Sequence, residues 1–212
     1  MTRPAERSIY LASRSSRRRD LLTQIGVRFQ LLLFRADPEP DPDLDETVLR
    51  GETPAVYVKR VARAKAEAGW ARLERRNLPR APVLSADTTV ALQSRILGKP
   101  GNRQEAAEML AALSGRRHEV LTAVALKYDT HLEVALSESE VQFCELDTEA
   151  IREYLATGEA DDKAGSYGIQ GRAARYVVDI RGSHSGIVGL PLYETAQLIE
   201  RLSGLRERRN TR

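Results

Sequence analysis

The sequence predicts an α/β fold built on a long mixed sheet that is flanked by helices. Strand and helix patterns alternate along the first half of the chain, and an antiparallel hairpin follows in the second half. Neither an internal repeat nor a separating linker interrupts them. These observations favour a single domain over residues 1–212, with a core from about 8 to 202 and a basic C-terminal tail over 203–212.

Composition excludes several classes of protein. Hydrophobic residues make up 42% and charged residues 30% of the chain, which is typical of a globular protein and not of a disordered one. No stretch approaches the roughly 20 apolar residues that span a bilayer, so we expect no membrane partner. The N-terminal residues lack the apolar core of a secretory signal, and we expect a cytoplasmic protein. The net charge of +3 is too modest to favour nucleic acid as a partner.

The first half of the chain begins with alternating strands and helices. Ser8 to Ala12 is a short apolar strand, and the serine-rich turn after it leads into a helix that ends at Gly26. Phe29 to Phe34 predicts a second strand, followed by a loop rich in proline and aspartate. Thr53-Pro54 then starts a long helix, because threonine is a good N-cap and proline fits the first helical turn. The residues on the apolar side of this helix are mostly small.

The next strand is unusual because its centre is polar. Residues 82–92, PVLSADTTVAL, carry Ser, Asp and two Thr where an ordinary core strand is apolar. Open α/β sheets bind ligands at strand ends, so Asp87 suits a general base or a metal ligand. A capping or turn aspartate is the alternative. The polar centre is the first functional clue in the sequence.

The second half of the chain predicts helices around an antiparallel hairpin. Apolar residues recur at helical spacing from Asn102 to Leu113. His118 to Lys127 and Glu133 to Phe143 alternate as two strands around a turn at 128–130. The remaining elements are a helix from Thr148, a strand over 176–180, a helix from Pro191 through Leu202, and a frayed tail over 206–212.

The first helix starts with a basic, hydroxyl-rich turn. Residues 13–18, SRSSRR, place hydroxyls, backbone N–H groups and guanidinium groups at a helix N-terminus, where phosphate binding is electrostatically favourable. Arg17 and Arg18 supply planar forks that match phosphate oxygens. A capped helix with a basic solvated turn is the alternative. However, cations there oppose the helix dipole, so three successive arginines need an anion or an acidic partner.

A glycine-rich tract and two lysines add further candidates. Residues 158–171, GEADDKAGSYGIQG, contain four glycines, which let the backbone approach a ligand closely. Gln170 in this tract carries an amide that can recognise a base edge. An ordinary mobile loop is the alternative. Lys65 and Lys99 could neutralise phosphates, although each residue alone is more often a surface lysine.

The histidines and the single cysteine do not indicate chemistry. His118, His131 and His184 are widely separated and lack metal-ligand spacing, so we interpret them as structural or surface residues. Cys144 has no partner for an internal disulfide and lies in the alternating segment VQFCEL. The pattern predicts a buried core thiol.

Seven ordered segments resemble a known family. They are LASRSSRR, ARAKA, SADT, LGKP, EAAEMLAALSG with the following TAVAL, DKAGSYGIQG and GSHSGIVGLPLYET. From about Ser8 to Leu202 the chain resembles the Maf nucleotide pyrophosphatases, and seven motifs in order are far more specific than any one of them. The pairing of SADT with DKAGSYGIQG is similar to the subgroup that acts on dTTP and UTP.

The resemblance implies a fold, an activity and a site. The fold would be inosine-triphosphatase-like, with a cleft between two lobes, and commonly a homodimer. The activity would be hydrolysis of dTTP and UTP to monophosphate and pyrophosphate with Mg²⁺ or Mn²⁺. Asp87 would be the proton acceptor, while Arg17, Thr88 and Gln170 would shape substrate choice. The side chains that would line the triphosphate are Ser13, Arg18, Lys65, Lys99 and Lys163.

The chain departs from the family pattern at two places. Arg14 and Ser16 stand where the family usually has Gly and Pro, which predicts a stiffer and more basic first loop. After the second strand the family usually shows Asp-Glu, whereas this chain has Asp37-Pro38-Glu39. Glu39 is nevertheless the acidic metal ligand predicted there, together with Asp87.

Two other functions fit the same motifs. One is a pyrophosphatase for 7-methyl-GTP. The other is a regulator of septum formation that binds nucleotide or nucleic acid without turnover, since the family is also associated with inhibition of septum formation. The intact SADT motif with Asp87 favours turnover.

Overall fold

The computed structural model describes residues 8–32 and 45–210, with side chains as far as Gly204. The strands within these ranges are β1 (Ile9–Leu11), β2 (Phe29–Leu31), β3 (Val83–Leu92), β4 (Arg95–Leu97), β5 (Arg117–Tyr128), β6 (His131–Phe143) and β7 (Val177–Arg181). The α-helices are α1 (Ser16–Gln24), α2 (Pro54–Arg75), α3 (Arg103–Leu113), α4 (Thr148–Leu155), α5 (His184–Val188) and α6 (Leu192–Asn210). In the described ranges, no helix is both long and apolar enough to cross a membrane.

All seven strands belong to one mixed sheet. The strand order is β2-β1-β3-β5-β6-β7, and β4 pairs with β3 beside this path. β1 runs parallel to β2 and to β3, whereas every other pair is antiparallel. The predicted α/β fold with a long mixed sheet and flanking helices is confirmed.

One edge of β3 is paired only at its two ends. β5 pairs with β3 continuously from Val83 to Ala91. On the opposite edge, β1 pairs with Val83 and Leu84, and β4 pairs with residues 90–92. Residues 85–89, which include the polar centre of the strand, therefore have no strand partner on that edge among the residues that the structure describes. This gap places the polar residues beside the turn that follows β1.

Helix α2 covers one face of the sheet because its sheet-facing residues are small. Thr53 caps the helix by accepting from the N–H of Val56, and Pro54 occupies the first turn, as predicted. Val58 and Ala62 are fully buried against the sheet. A Cβ at Gly69 would lie 2.8 Å from Cγ1 of Val83, so only glycine permits this close approach. The close packing brings the polar residues of α2 to β3.

The other face of the sheet packs against the remaining helices. The largest core cluster includes Leu22, Leu84, Leu110, Phe143 and Leu198, each no more than 1% exposed. Burial of such side chains contributes roughly 1.5–3 kcal/mol each to folding. The largest core cluster therefore lies on the face of β3 opposite α2, and two smaller clusters lie on the α2 face.

Several elements differ from the sequence-based expectations. β2 ends at Leu31, and residues 33 and 34 of the predicted strand lie outside the described residues. The last helix extends to Asn210 and does not end at Leu202, so most of the predicted frayed tail is helical. Helix α5 was not expected, because five residues are too few to show a helical period; Ser183 caps it by accepting from Gly186 N–H.

Cys144 is a further correction. The residue is half-buried, not fully buried, because β6 ends one residue earlier at Phe143. The chain there leaves the sheet, so the alternation of VQFCEL no longer places every second side chain in the core. Cys144 instead packs at the margin of the largest core cluster.

Candidate active site

A lysine between two carboxylates occupies the α2 side of β3. Nζ of Lys65 lies 2.7 Å from Oδ1 of Asp87 and 2.9 Å from Oε1 of Glu46. The side chain of Asp87 is 10% exposed and that of Lys65 15% exposed, whereas that of Glu46 is 47% exposed. This triad therefore combines two largely buried members with one that faces solvent.

The charges of other cations in the site also act on the carboxyl group of Glu46. Burial alone would raise the pKa of its carboxyl group, but the nearby charges of Lys65, Lys99 and Arg18 lower it below the ordinary value. The carboxylate is therefore within electrostatic reach of three cations. These four groups come from the segment before α2, from α2, from the loop after β4 and from α1.

The opposite side of β3 presents an arginine bound to neutral oxygens. Nε of Arg18 donates to the carbonyl of Gly189 at 2.8 Å, Nη1 to Oγ of Ser13 at 3.2 Å, and Nη2 to Oγ1 of Thr88 at 3.4 Å. Burial lowers the pKa of Arg18, while the charge of Asp87 acts in the opposite direction. The arginines of this turn were predicted to need an anion or an acidic partner. At Arg18 the short-range partners are instead three uncharged acceptors, and the negative charges that act on it are those of Asp87 and Glu46.

A chain of hydroxyls fixes the proton of Thr88. Oγ1 of Thr122 lies 2.7 Å from the carbonyl of Gly186 and 2.9 Å from Oγ1 of Thr88. A carbonyl only accepts, so the single hydroxyl proton of Thr122 is used on Gly186. Thr88 must then donate to Thr122 while accepting from Arg18. Among the described contacts, one lone pair of the Thr88 hydroxyl therefore stays available to a ligand.

Asp87 and Thr88 therefore serve opposite faces of one strand. Successive side chains of a strand alternate between faces, and here Asp87 meets α2 while Thr88 meets Arg18. Ser85 shares the face of Asp87 and donates to the carbonyl of Ala62 at 2.6 Å. The polar centre of β3 is thus explained in part by packing on α2 and in part by the site.

Two further cations flank a glycine of the glycine-rich tract. A Cβ at Gly168 would lie 3.5 Å from Cε of Lys163 and 3.8 Å from Nη1 of Arg17. Lys163 pairs with the neighbouring Asp162. Burial opposes ionisation of Asp162, but the hydrogen bond and charge of Lys163 and the charge of Arg17 lower its pKa. Arg17 and Lys163 therefore form a second basic point, next to the glycine tract.

The structure brings most of the predicted site residues together, in three groups. Lys65 contacts Asp87, Arg18 contacts Ser13 and Thr88, and Arg17 and Lys163 both lie near Gly168. Lys99 is exposed and reaches Glu46 only electrostatically. Gln170 is exposed, and no hydrogen bond links it to these groups within the described part of the chain.

Glu46 is the main residue that sequence reasoning missed. Glu39, the acidic ligand predicted there, lies outside the described residues. The contact with Lys65 instead singles out Glu46, which follows Asp45. Asp45-Glu46 is an Asp-Glu pair between the second strand and α2, so the expected pattern was present further along the acidic segment. Thr122 and Gly189 were also missed, because only the fold brings them to Thr88 and Arg18.

Comparison with known proteins identifies the family. A family model described as Maf-like protein matches residues 8–202. The chain belongs to the Maf family. A protein of Nitrosomonas europaea, named dTTP/UTP pyrophosphatase, is 54% identical over 94% of this chain and 97% of its own length. Proteins with the same name from Aromatoleum aromaticum and Dechloromonas aromatica are 56% and 53% identical, covering 93% and 92% of this chain and 97% and 96% of their own lengths.

A solved structure with partial similarity was also found. The Staphylococcus aureus Ham1 protein covers 64% of this chain and 71% of its own, with 18% identity and a TM-score of 0.43. Membership of the Maf family therefore rests on the sequence matches, which extend over nearly the whole chain.

Nucleotide pyrophosphatases generally use a divalent metal, and the donor set here fits one. No cluster of three or more His, Cys, Asp or Glu side chains suited to an ion is found within the described residues. However, Asp87 and Glu46 both contact Lys65 and so lie within a few ångströms of each other. One or two carboxylates plus substrate phosphates is the ligand set that Mg²⁺ commonly takes. The site therefore suits a cation that is bound together with a triphosphate.

Proposed function

We propose that this Maf-family chain hydrolyses dTTP and UTP to the monophosphate and pyrophosphate. The observation that carries the proposal is Lys65 held between the carboxylates of Asp87 and Glu46, beside the edge of β3 where no described strand pairs with residues 85–89. The relatives named dTTP/UTP pyrophosphatase support the choice of substrate.

Asp87 is the proposed proton acceptor. One of its carboxylate oxygens accepts the proton of a water molecule whose oxygen attacks the α-phosphorus. The bond between that phosphorus and the α–β bridging oxygen breaks, and pyrophosphate leaves with the bonding electrons. Lys65 contacts Oδ1 at 2.7 Å, so its ammonium group holds the carboxylate in place and can also reach a phosphate oxygen.

The cations around the strand are proposed to bind the triphosphate. Arg17 and Lys163 lie beside Gly168, and Lys99 lies within electrostatic reach of Glu46. Arg18 is already committed to three neutral acceptors, so it orients Thr88 and adds long-range positive charge. Preorganised charges of this kind stabilise the negative charge that develops on the leaving pyrophosphate.

Glu46 and one oxygen of Asp87 would hold the metal, which we propose to be Mg²⁺ or Mn²⁺. When bound there, such a cation supplies neutralising charge and orients the phosphate oxygens. Gln170 is proposed to contact the base, because its amide offers a donor and an acceptor that match the N3–H and a carbonyl of uracil or thymine.

A nucleotide panel tests this proposal. Release of pyrophosphate is measured with dTTP, UTP, CTP, GTP and 7-methyl-GTP, each with Mg²⁺, with Mn²⁺ and with a chelator. We expect the highest kcat/KM with dTTP and UTP and little activity with the chelator. A higher kcat/KM with 7-methyl-GTP would contradict the assignment of dTTP and UTP as substrates. Nucleotide binding without any turnover would contradict the proposal that the chain is an enzyme.

The single-domain organisation, the homodimer and the cytoplasmic location remain predictions. Light scattering coupled to size exclusion would show about twice the monomer mass of 23.6 kDa if the homodimer is correct. A single mass near that of the monomer would contradict it.

A further inference from the structure

The segment that carries Glu46 is exposed along most of its length. Residues 45–51 are all exposed, and they precede α2 directly. The apolar side chains of Val48 and Leu49 are themselves 45% and 50% exposed. Apolar burial therefore does not fix this segment, and polar contacts must hold Glu46 against Lys65.

Two side chains of α2 bind three successive carbonyls of this segment. Arg60 donates from Nη1 to the carbonyl of Asp45 at 3.1 Å and from Nη2 to that of Thr47 at 2.8 Å. Tyr57 donates from its hydroxyl to the carbonyl of Glu46 at 3.1 Å. The backbone is thus held on both sides of Glu46 and at Glu46 itself.

Arg60 is in turn fixed by Glu52. Nε of Arg60 lies 2.7 Å from Oε1 of Glu52, and Nη2 lies 2.9 Å from Oε2. Oε2 also accepts from the N–H of Leu49 at 3.0 Å, and the Glu52 side chain is only 4% exposed. A two-point pair between guanidinium and carboxylate is charge-assisted and directional, so the orientation of Arg60 is well determined.

The tyrosine is a dependable donor in this arrangement. Burial, followed by the charges of Asp87 and Glu46, raises the pKa of Tyr57 to about 12. Its hydroxyl therefore keeps its proton at neutral pH. The guanidinium carbon of Arg60 lies 5.6 Å from the centre of the Tyr57 ring, which adds a cation–π contact between the two residues.

We propose that Arg60, Glu52 and Tyr57 form a carbonyl clamp that positions the Glu46 carboxylate at Lys65 and Asp87, and that Arg60 is a positioning residue for turnover. The inference rests on the proposed function, in which Glu46 takes part in catalysis. Arg60 touches neither Lys65 nor Asp87 in the contacts described above, so it acts through Glu46. A reacting group displaced by about an ångström can cost a hundredfold in rate, which makes such a clamp important.

A double-mutant cycle tests the route through Glu46. We expect Arg60→Ala to lower kcat/KM roughly tenfold to a hundredfold, and Arg60→Lys to retain more activity because it keeps the charge. In a Glu46→Gln background, Arg60→Ala should cost less than about twofold, because residues that act as a unit are not additive. Arg63→Ala, an exposed arginine on the same helix, is the matched control and should remain near wild type.

Hydrogen exchange supplies a readout that does not depend on activity. Amides of residues 45–52 should exchange faster in Arg60→Ala and in Glu52→Gln than in wild type, while the rest of α2 stays protected. Glu52→Gln keeps the side chain's size, so it provides the test if Arg60→Ala does not fold. Unchanged exchange at 45–52 would overturn the clamp.

The two parts of the inference fail in different ways. Suppose that amides 45–52 exchange faster in Arg60→Ala, but that Arg60→Ala lowers kcat/KM by the same factor in the Glu46→Gln background as in wild type. This result would overturn the claim that Arg60 acts through Glu46. Normal turnover by Glu46→Gln itself would contradict the role of Glu46 in the proposed function, a result that the exchange measurement does not depend on.

Discussion

The two faces of β3 make different kinds of contact, although the residues concerned are adjacent in the sequence. On the α2 face, Asp87 meets a lysine and a second carboxylate, and part of that triad lies in a solvent-exposed segment. On the other face, the Arg18 guanidinium donates to uncharged oxygens, and one of these, Oγ1 of Thr88, continues a chain of hydroxyl hydrogen bonds to the carbonyl of Gly186. The first face concentrates charge, whereas the second fixes the direction of hydrogen bonds.

The difference indicates a division of labour. Charge beside solvent can exchange partners when a triphosphate and a metal arrive, so the α2 face suits chemistry. Buried hydrogen bonds to uncharged oxygens do not rearrange easily, because an unpaired buried group is costly, so the Thr88 face suits orientation and selection. Substitutions on the α2 face should therefore mainly change rates, and those on the other face should mainly change selectivity or stability.

The largest expected effect is on the charged face, at Asp87. Asp87→Asn keeps the size of the side chain but removes its negative charge and its basicity. We expect kcat to fall roughly a hundredfold or more, with an unchanged circular dichroism spectrum and melting curve close to wild type. Asp20→Asn, at an exposed aspartate of α1, is the control. Near-normal turnover in folded Asp87→Asn would remove Asp87 from the mechanism.

Base selection should depend on Gln170. Gln170→Ala removes a donor and an acceptor, so it should lower kcat/KM for dTTP by a factor that corresponds to about 1–3 kcal/mol. GTP should be affected less, and the measurement is the dTTP-to-GTP ratio of kcat/KM in wild type and variant. If Gln170 only braces the glycine tract, both nucleotides lose activity in proportion, and an unchanged ratio would reject the base-contacting role.

His118 lies on the Thr88 face of the sheet and should make stability depend on pH. Its Nε2 lies 2.8 Å from the Tyr167 hydroxyl, and burial lowers its pKa from 6.5 to about 4. Between these pH values the unfolded chain binds a proton that the folded chain excludes, so stability rises with pH and falls on acidification. From pH 7 to pH 5 this group should cost about 2 kcal/mol. Urea unfolding of wild type and His118→Gln at both pH values measures the difference, and equal pH dependence in the two proteins would contradict it.

The smallest expected effect concerns the hydroxyl chain at Thr122. Thr122→Val keeps the shape of the side chain but leaves the Gly186 carbonyl with the Gly189 N–H as its remaining donor and removes the acceptor of the Thr88 hydroxyl proton. The loss should cost about 1–2 kcal/mol of stability. Thr122→Ser keeps the hydroxyl and is the matched control. We expect Thr122→Val to bind nucleotide less selectively as well, because the hydroxyl of Thr88 is then free to rotate. If the Thr122→Val protein is as stable as the Thr122→Ser protein, the hydrogen bonds of the Thr122 hydroxyl contribute nothing measurable to stability.

Local rules predicted much of the fold. The start of α2 follows from Thr53-Pro54, and the hairpin of β5 and β6 follows from the alternation of residues on either side of a short turn. The polar centre of β3 drew attention to Asp87, which the structure places 2.7 Å from Nζ of Lys65, while its role as general base or metal ligand stays a prediction. Each of these features depends on residues that are close together in the sequence. A local sequence pattern contains this information.

The parts that were missed depend on contacts between distant segments. The acidic segment offers several carboxylates of similar local character, and only the meeting with Lys65 distinguishes Glu46. Likewise, Thr122 and Gly186 are ordinary in the sequence and become informative only when β5 and α5 meet beside Thr88. Asp87 and Thr88 are neighbours in sequence, yet the pleat of the strand separates their roles.

The most direct test of the account follows the oxygen of the attacking water. Turnover of dTTP in ¹⁸O-enriched water, analysed by mass spectrometry of both products, shows which phosphorus is attacked. Attack at the α-phosphorus, as proposed for Asp87, predicts ¹⁸O in the thymidine monophosphate and unlabelled pyrophosphate. Label in the pyrophosphate, or orthophosphate as the first product, would contradict the account.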